Sequence, residues 1–388
     1  MTCQHVDLYA SDAAAPPLRI SLDGHPAAHP SRLVEAVEQQ TGLRVAILRV
    51  ESEHVVHVEF VDAPVTTRPA AGGEAAPAWQ QPGWLTATTG EADVVLNRLG
   101  LRRTGMPVQE RHTAVTGMLR IPVGESSLWL KAGLPLFQRE APVTRWVGAR
   151  ADATELEAPV VLAAGDAWWL TAAFPNAAER PAEDSLAALV RLQAASVGHA
   201  PALRTMGCPD RTTADLADEI DVLAQRTDLL NDEQRRRLRR VGGAVAEAGA
   251  SACERLPDTL VHGDFHSGNV RWTGRRWMVY DWTDACVAHP FADLASAVIN
   301  DPPAKAAART RQYADAWSAA CPGRDIEAAL WTAPIIGAAF HAVNYRGILD
   351  AVAPPGTGRE RIAAREPTAA QLVELLDFWV ARLISVST

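Results

Sequence analysis

The sequence predicts an α+β protein with strands concentrated in its N-terminal part and helices in its C-terminal part. Three observations carry this. Strand-like runs of alternating or continuous apolar residues dominate up to about residue 171. From Pro181 onward the apolar residues recur at helical spacing. No internal repeat or sustained heptad organises the chain.

The elements follow in order. Residues 31–40, SRLVEAVEQQ, read as a short helix stopped at Gly42, and two β-rich runs, LRVAILRV and HVVHVEFV, flank the polar turn ESE. This is a small α+β unit. The next segment, DAPVTTRPAAGGEAAPAWQQPGW, is rich in Pro, Ala and Gly and lacks periodicity, which predicts a linker and a boundary near residue 80. HTAVTGMLRIPVGESSLWLKAGLP then gives two strands turning at Gly124, FQREAPVTRWVGARA a helix, and PVVLAAGDAWWLTAAF a second hairpin around Gly165 and Asp166. Strand, strand, helix, strand, strand makes a compact sheet lobe. Helices follow in DSLAALVRLQAAS, in TTADLADEIDVLAQR with Thr212 and Thr213 as N-caps, and in DEQRRRLRRVGGAVAEAGASACERL. A brief β interruption holds LVHGDFHSGNVRW and RRWMVYDW, and helix covers most of Pro290 to Ser385. The expected domains are residues 1–80, 81–175 and 176–388.

Composition narrows the function classes. With 388 residues and 48% hydrophobic content the chain buries a real core. Its 37 basic against 46 acidic residues give a formal charge of −9, which argues against a nucleic-acid partner and permits a cationic ligand. Cys3, Cys208, Cys253, Cys286 and Cys321 are scattered, odd in number and without CxxC spacing, so reduced thiols in a cytoplasm are expected. The N-terminus lacks a basic region followed by an apolar one, and no run of eighteen apolar residues occurs, so no membrane partner is expected.

The stretch LVHGDFHSGNVRW crowds chemistry into a turn, and three readings compete for it. Gly, Ser and Asn favour turns, and a His beside an Asp can satisfy a buried polar pair. Alternatively His262, Asp264 and His266 are metal ligands at alternating positions, although the other histidines form no second cluster to complete a shell. In the third reading, His262, Gly263 and Asp264 followed after four residues by Asn269 reproduce the spacing of a kinase catalytic loop, with Gly in place of Arg. Phosphoryl transfer explains the residue types: a carboxylate orients the attacking hydroxyl and accepts its proton, and an amide oxygen holds magnesium. A second carboxylate should follow, and Asp281 stands at the end of the apolar run RRWMVYDW.

LVHGDFHSGNVRW followed by WMVYDWTDACVAHPFADLA resembles the aminoglycoside phosphotransferase and choline kinase superfamily, in an HGD-x-x-x-x-N loop, an Asp-Trp pair and a downstream Asp-Leu-Ala. The resemblance implies a bilobal protein-kinase-like fold, to which the small N-terminal α+β unit is an additional domain, with ATP or GTP as donor, magnesium, and a small-molecule hydroxyl as acceptor. It makes Asp264 the catalytic aspartate and Asn269 and Asp281 the magnesium ligands. His262 braces the loop, His266 either lies near phosphates or substrate or has a structural role, and Asp293 is a structural aspartate with helix capping as its rationale.

It further implies Lys131, at the end of the strand in SLWLKAGLP, as the contact to the α and β phosphates, and Glu140, in FQREAPV, as the residue that holds it. Thr171 to Phe174 take the place of the segment that meets the nucleotide base, Ala172 and Phe174 among them. One feature departs from the protein-kinase pattern: no GxGxxG loop precedes Lys131, and only Gly117 and Gly124, with Thr113, Thr116, Ser126 and Ser127, stand in its place.

In the N-terminal unit, VEAVEQQTGLRV resembles the helix of a Nudix hydrolase box, but Gln39 and Gln40 replace its metal-binding glutamates; packing, dimerisation or gating remains, and an ordinary amphipathic helix explains the same residues. The function expected is a small-molecule O-phosphotransferase acting on an antibiotic, with a kinase of a cellular amino alcohol or sugar, or a nucleotide-binding module without turnover, as alternatives. Asp215, Asp218, Glu219 and Asp221 either face a polyamine-like acceptor or form a solvated helix face, and His341 and Tyr345 either line the acceptor pocket or pack in the core.

Overall fold

A computed structural model describes residues 3–10, 17–23, 29–52, 54–61, 76–174, 185–364 and 367–387. The core of the segment expected to be a linker, residues 62–75, lies outside them, as does the side chain of Cys3. The chain forms two compact units, one of Met1–Pro135, Leu162–Ala173 and Leu349–Val373, the other of Leu136–Val161, Phe174–Ile348 and Glu374–Thr388.

The first unit begins with strands β1 (Cys3–Ala10) and β2 (Leu18–Asp23), helix α1 (Pro30–Thr41), and strands β3 (Val45–Ser52) and β4 (Val55–Phe60). They form one sheet in the order β2-β1-β4-β3, with β1 parallel to β4. Alternation puts Val6, Leu8, Ile20, Leu22, Val56 and Val58 on one face, where Leu33 and Val37 of α1 cover them. Gly42 ends α1 in the left-handed region at φ 71°, as its place in the sequence predicts. Gln40 clamps the backbone of Ser21, its Oε1 accepting from the N–H at 3.0 Å and its Nε2 donating to the C=O at 2.8 Å. The residue in the Nudix-like position thus fastens a strand edge.

Helix α2 (Trp84–Arg98) then packs Leu85, Ala92 and Leu96 on a second sheet built from β5 (Val108–His112), β6 (Thr116–Val123) and β7 (Ser126–Gly133), completed by β9 (Val161–Ala164) and β10 (Trp168–Thr171) in the order β5-β6-β7-β10-β9. Sequence reading finds β6, β7, β9 and β10 but not β5, α2, β1 or β2. The buried stripe of α2 includes Thr88 and Thr89, so its apolar pattern is broken, and the edge strand VQERH is mostly polar. Gly117, weighed as part of a phosphate loop, instead lies under Trp79: a Cβ there would sit 2.9 Å from the indole.

The second unit carries α3 (Glu140–Gly148), α4 (Ala151–Thr154), β8 (Leu156–Glu157), α5 (Leu186–Ser196), α6 (Ala200–Thr205), β11 (Asp210–Arg211), α7 (Thr213–Leu223) and α8 (Asp232–Cys253). Then come β12 (Thr259–Val261), β13 (Val270–Trp272), β14 (Trp277–Val279), β15 (Cys286–Ala288), α9 (Phe291–Val298), α10 (Pro303–Ala320) and α11 (Ala333–Val352), and the chain closes with α12 (Arg359–Ala363) and α13 (Pro367–Val386), of which α12, the end of α11 and the start of α13 belong to the first unit. Thr212, not Thr213, is the N-cap of α7, in a capping box with Asp215. Two small sheets, β11-β15-β12 and β13-β14-β8, hold the crowded loop between them in sequence.

Candidate active site

Strand β12 is wholly buried, and it delivers the chain into the loop His262–Asn269. Asp293, on the first turn of α9, receives the loop backbone: its Oδ2 accepts from His262 N–H at 3.0 Å and its Oδ1 from Gly263 N–H at 2.8 Å, while Gln193 Nε2 donates to Oδ2 at 2.9 Å. Asp293 therefore does not cap its own helix, whose N-cap is Pro290. It anchors the loop. Burial pushes its carboxyl up to about 7, and the three N–H donors oppose that rise.

His262 is a brace. Its buried ring donates from Nε2 to Tyr280 O at 3.0 Å and accepts at Nδ1 from Asp264 N–H at 3.2 Å, which requires the neutral ring. Burial holds it below the ordinary imidazole value.

Around Asp264 three side chains meet. Asn269 Nδ2 donates to Asp264 O at 3.0 Å and to Oδ2 at 3.2 Å, and His266 Nε2 lies 3.3 Å from the same Oδ2. His266 is itself oriented because Nδ1 accepts from Gly268 N–H at 2.9 Å. Burial raises the Asp264 carboxyl, but the hydrogen bond and charge of His266 outweigh it, so the group is held below its usual value. His266 moves up in return, chiefly through that bond. Among the described residues Asp264 Oδ1 takes no hydrogen bond, and the side chain is 40% exposed.

Asn269 is also held by the β13–β14 hairpin, since Tyr280 N–H donates to its carbonyl at 3.2 Å. The chain then turns at Asp281, one of two non-glycine residues with positive φ (68°) among those described. Such strain clusters at functional sites. Thr283 Oγ1 donates to Asp281 Oδ1 at 2.9 Å, and the charge of Asp281 acts on His262 and His266. The donor chemistry fits magnesium: with Nδ2 turned to Asp264, Asn269 offers its oxygen, and Asp281 adds a carboxylate, the few hard oxygen donors that ion takes from a protein. Among the described residues no three His, Cys, Asp or Glu gather as a metal site, which disfavours the metal-cluster reading of His262, Asp264 and His266.

Sequence reasoning missed Asp284 as a site residue. Its burial, with the charge of Asp264, pushes its carboxyl up to about 6, and Asn344 hydrogen-bonds it. Asp264 also acts on His341 and Tyr345, and His341 is buried with its ring stacked on Trp379 at 4.2 Å. The acidic helix α7 is divided: Asp215 closes the capping box and Glu219 pairs with Arg346.

Lys131 belongs to the first unit, buried on β7 opposite Trp169 of β10, its Nζ 5.5 Å from the indole centroid. Glu140 is buried in the first turn of α3 in the second unit, where a carboxylate favours the helix dipole. Ala172 is half-buried just past β10; Phe174 packs its ring 5.4 Å from Tyr280, next to Asp281.

Comparison with known proteins adds a lineage to this geometry. Residues 127–330 match the model of the phosphotransferase enzyme family. No curated protein matches the sequence. Among solved structures, the chain is similar to a macrolide 2'-phosphotransferase type I at 21% identity and TM-score 0.53, over 74% of this chain and 97% of that one. It is also similar to a macrolide 2'-phosphotransferase from Brachybacterium faecium at 18% identity and TM-score 0.52, over 71% and 98%, and to the gentamicin complex of APH(2")-IIa at 14% and 0.50, over 76% and 95%. These likenesses show a protein-kinase-like fold.

Proposed function

Because the chain belongs to the phosphotransferase enzyme family, we propose that it transfers the γ-phosphoryl group of ATP or GTP to a hydroxyl of a small molecule. The observation that supports this most is the state of Asp264: ionised, with Oδ2 fixed by Asn269 and His266 and Oδ1 turned to no partner among the described residues. Oδ1 aligns the acceptor hydroxyl on the γ-phosphorus. As the new O–P bond forms and the bond to the nucleoside diphosphate breaks, the hydroxyl proton passes to that oxygen. A carboxylate below its usual value is a weak base, so alignment is its larger contribution.

Asn269 and Asp281 hold magnesium in this reading, and the ion supplies charge neutralisation on the phosphates. Lys131 takes the α and β phosphates, Glu140 fixes Lys131, and Ala172 and Phe174 meet the base. His262 and His266 keep the loop in shape. The solved relatives are named for macrolides and for a gentamicin complex, so antibiotics of these classes are the first acceptors to test, with amino alcohols and sugars after them.

Asp264→Asn is the test. Nucleotide binding should survive, and phosphoryl transfer, scored as the mass gain of one phosphate on the acceptor, should fall by about 10²–10⁴-fold. Transfer at the wild-type rate would remove Asp264 from the mechanism. A protein that binds nucleotide but adds phosphate to no acceptor would favour the module without turnover.

A further inference from the structure

The second unit holds three guanidinium groups close enough to interact, and burial with the like charge of the other two disfavours that of Arg211. We propose that Arg139, Arg211 and Arg346 form a binding site for an oxyanion, a phosphate or a carboxylate group. Arg139 directly precedes α3 and is 7% exposed. Arg211 lies on β11, paired with Ala288 of β15, and its Nη2 crosses α11 at Gly347, where a Cβ would sit 3.5 Å away. Arg346 is the neighbouring residue on that helix, its side chain 12% exposed.

The charges do not balance among themselves. Desolvation lowers the Arg211 guanidinium, and the like charges of Arg139 and Arg346 lower it further; Glu219 opposes this, and Cys286 would do so only as a thiolate. Glu219 is committed to Arg346 by hydrogen bond. Asp284 also faces Arg139, but it is bound to Asn344 and stands in the repulsive field of Asp264 and Asp281. The thiols beside the cluster supply no charge at neutral pH, because burial pushes Cys208 up to about 11 and holds Cys286 well above its ordinary value.

Donors are left over as well. Arg139 gives one hydrogen bond to Leu136 O, yet its Nε and the Nη1 of Arg211 are shielded from water and meet no acceptor among the described residues. Buried N–H groups of a cation are costly to leave unmet, and guanidinium forks match the oxygens of phosphate and carboxylate. One oxyanion would supply both the missing charge and the missing acceptors. Glu219, whose side chain is 39% exposed, marks the side from which it can enter.

The site is tested without reference to catalysis. The full chain is melted in inorganic phosphate and in chloride at matched ionic strength. The wild-type midpoint should rise saturably with phosphate, and Arg211→Met should weaken the apparent phosphate affinity by about tenfold or more, the loss expected for a charge-assisted hydrogen bond. Arg211→Met should melt no lower than wild type in chloride alone, since it removes a like charge; a purely structural arginine would lower it. Lys131→Met should keep the phosphate response, which separates this site from a nucleotide-phosphate site. Should Arg211→Met not fold, Arg139→Gln carries the same expectation. Glucuronate and glucose 6-phosphate distinguish the source: tighter binding than phosphate assigns the anion to a larger ligand, equal or weaker binding to the free ion. No rise in wild type, or the same rise in both arginine variants, overturns the proposal.

Discussion

Gly263 sits at φ 85°, and a Cβ on it would lie 2.6 Å from the carbonyl oxygen of Asp284. The position between His262 and Asp264 thus admits no side chain without moving the loop, which is why glycine stands where a protein kinase has arginine. Gly263→Ala should cost about 1–3 kcal/mol of stability from backbone strain alone. Because Asp264 follows directly, kcat should drop more than nucleotide affinity, checked by denaturant titration beside steady-state kinetics. An unchanged kcat would show that the loop shifts without carrying Asp264. At this scale the sequence is informative for a physical reason: the side chains that meet at Asp264 lie within five residues of it, so spacing alone selects Asn269 and His266. Asp293 and Asp284 were misread or missed because their partners are remote, Gln193 lying 100 residues before Asp293 and Asn344 on α11. Local pattern offers a helix cap for Asp293, and only the fold offers two loop N–H groups.

At the scale of elements, the edge of β3 is closed by side chains rather than by another strand. Gln109 Oε1 accepts from Ile47 N–H at 2.8 Å and its Nε2 donates to Ile47 O at 3.1 Å, while His112 Nε2 donates to Leu48 O at 2.8 Å. One amide thus mimics a rung of a ladder and ties β3 to β5. Gln109→Leu should leave both Ile47 groups without partners, costing about 2–4 kcal/mol. Hydrogen exchange would then reveal lost protection at Ile47 and its neighbours; retained protection would mean that water replaces the amide without loss. This device also shows why β5 escapes a sequence reading. An edge strand that spends its buried positions on Gln and His has no apolar alternation to detect, whereas β6 and β7, central in the same sheet, alternate clearly. Helix α2 hides for a related reason, its buried face being part threonine.

Across the whole molecule, acid response is set by buried imidazoles. Burial depresses His112, His289 and His341 to about 4 and lowers His262 from its ordinary value near 6.5. As pH falls below 6.5, an unfolded chain protonates these rings before the folded chain does, so the unfolded state binds more protons and stability drops. Asp284 and Asp293 act in the opposite sense. Their folded values of about 6 and about 7 exceed the ordinary 3.8, so the folded chain takes up protons that the unfolded carboxylates refuse, and stability rises on acidification through that range. Three histidines held at about 4 against two raised aspartates leave a deficit of about one proton in the folded state between about pH 6 and 4.5, and the lowered His262 acts in the same sense as the histidines. At 1.36 kcal/mol per proton and pH unit, stability should decline by about 1–1.5 kcal/mol per unit there. Melting curves across pH 7 to 4.5 measure the slope directly. His112→Gln, which can still donate to Leu48 O, should flatten it by about one proton's worth. A wild-type melting midpoint that rose on acidification through this window would mean that the rings titrate as freely in the folded chain as in the unfolded one and only the aspartates act.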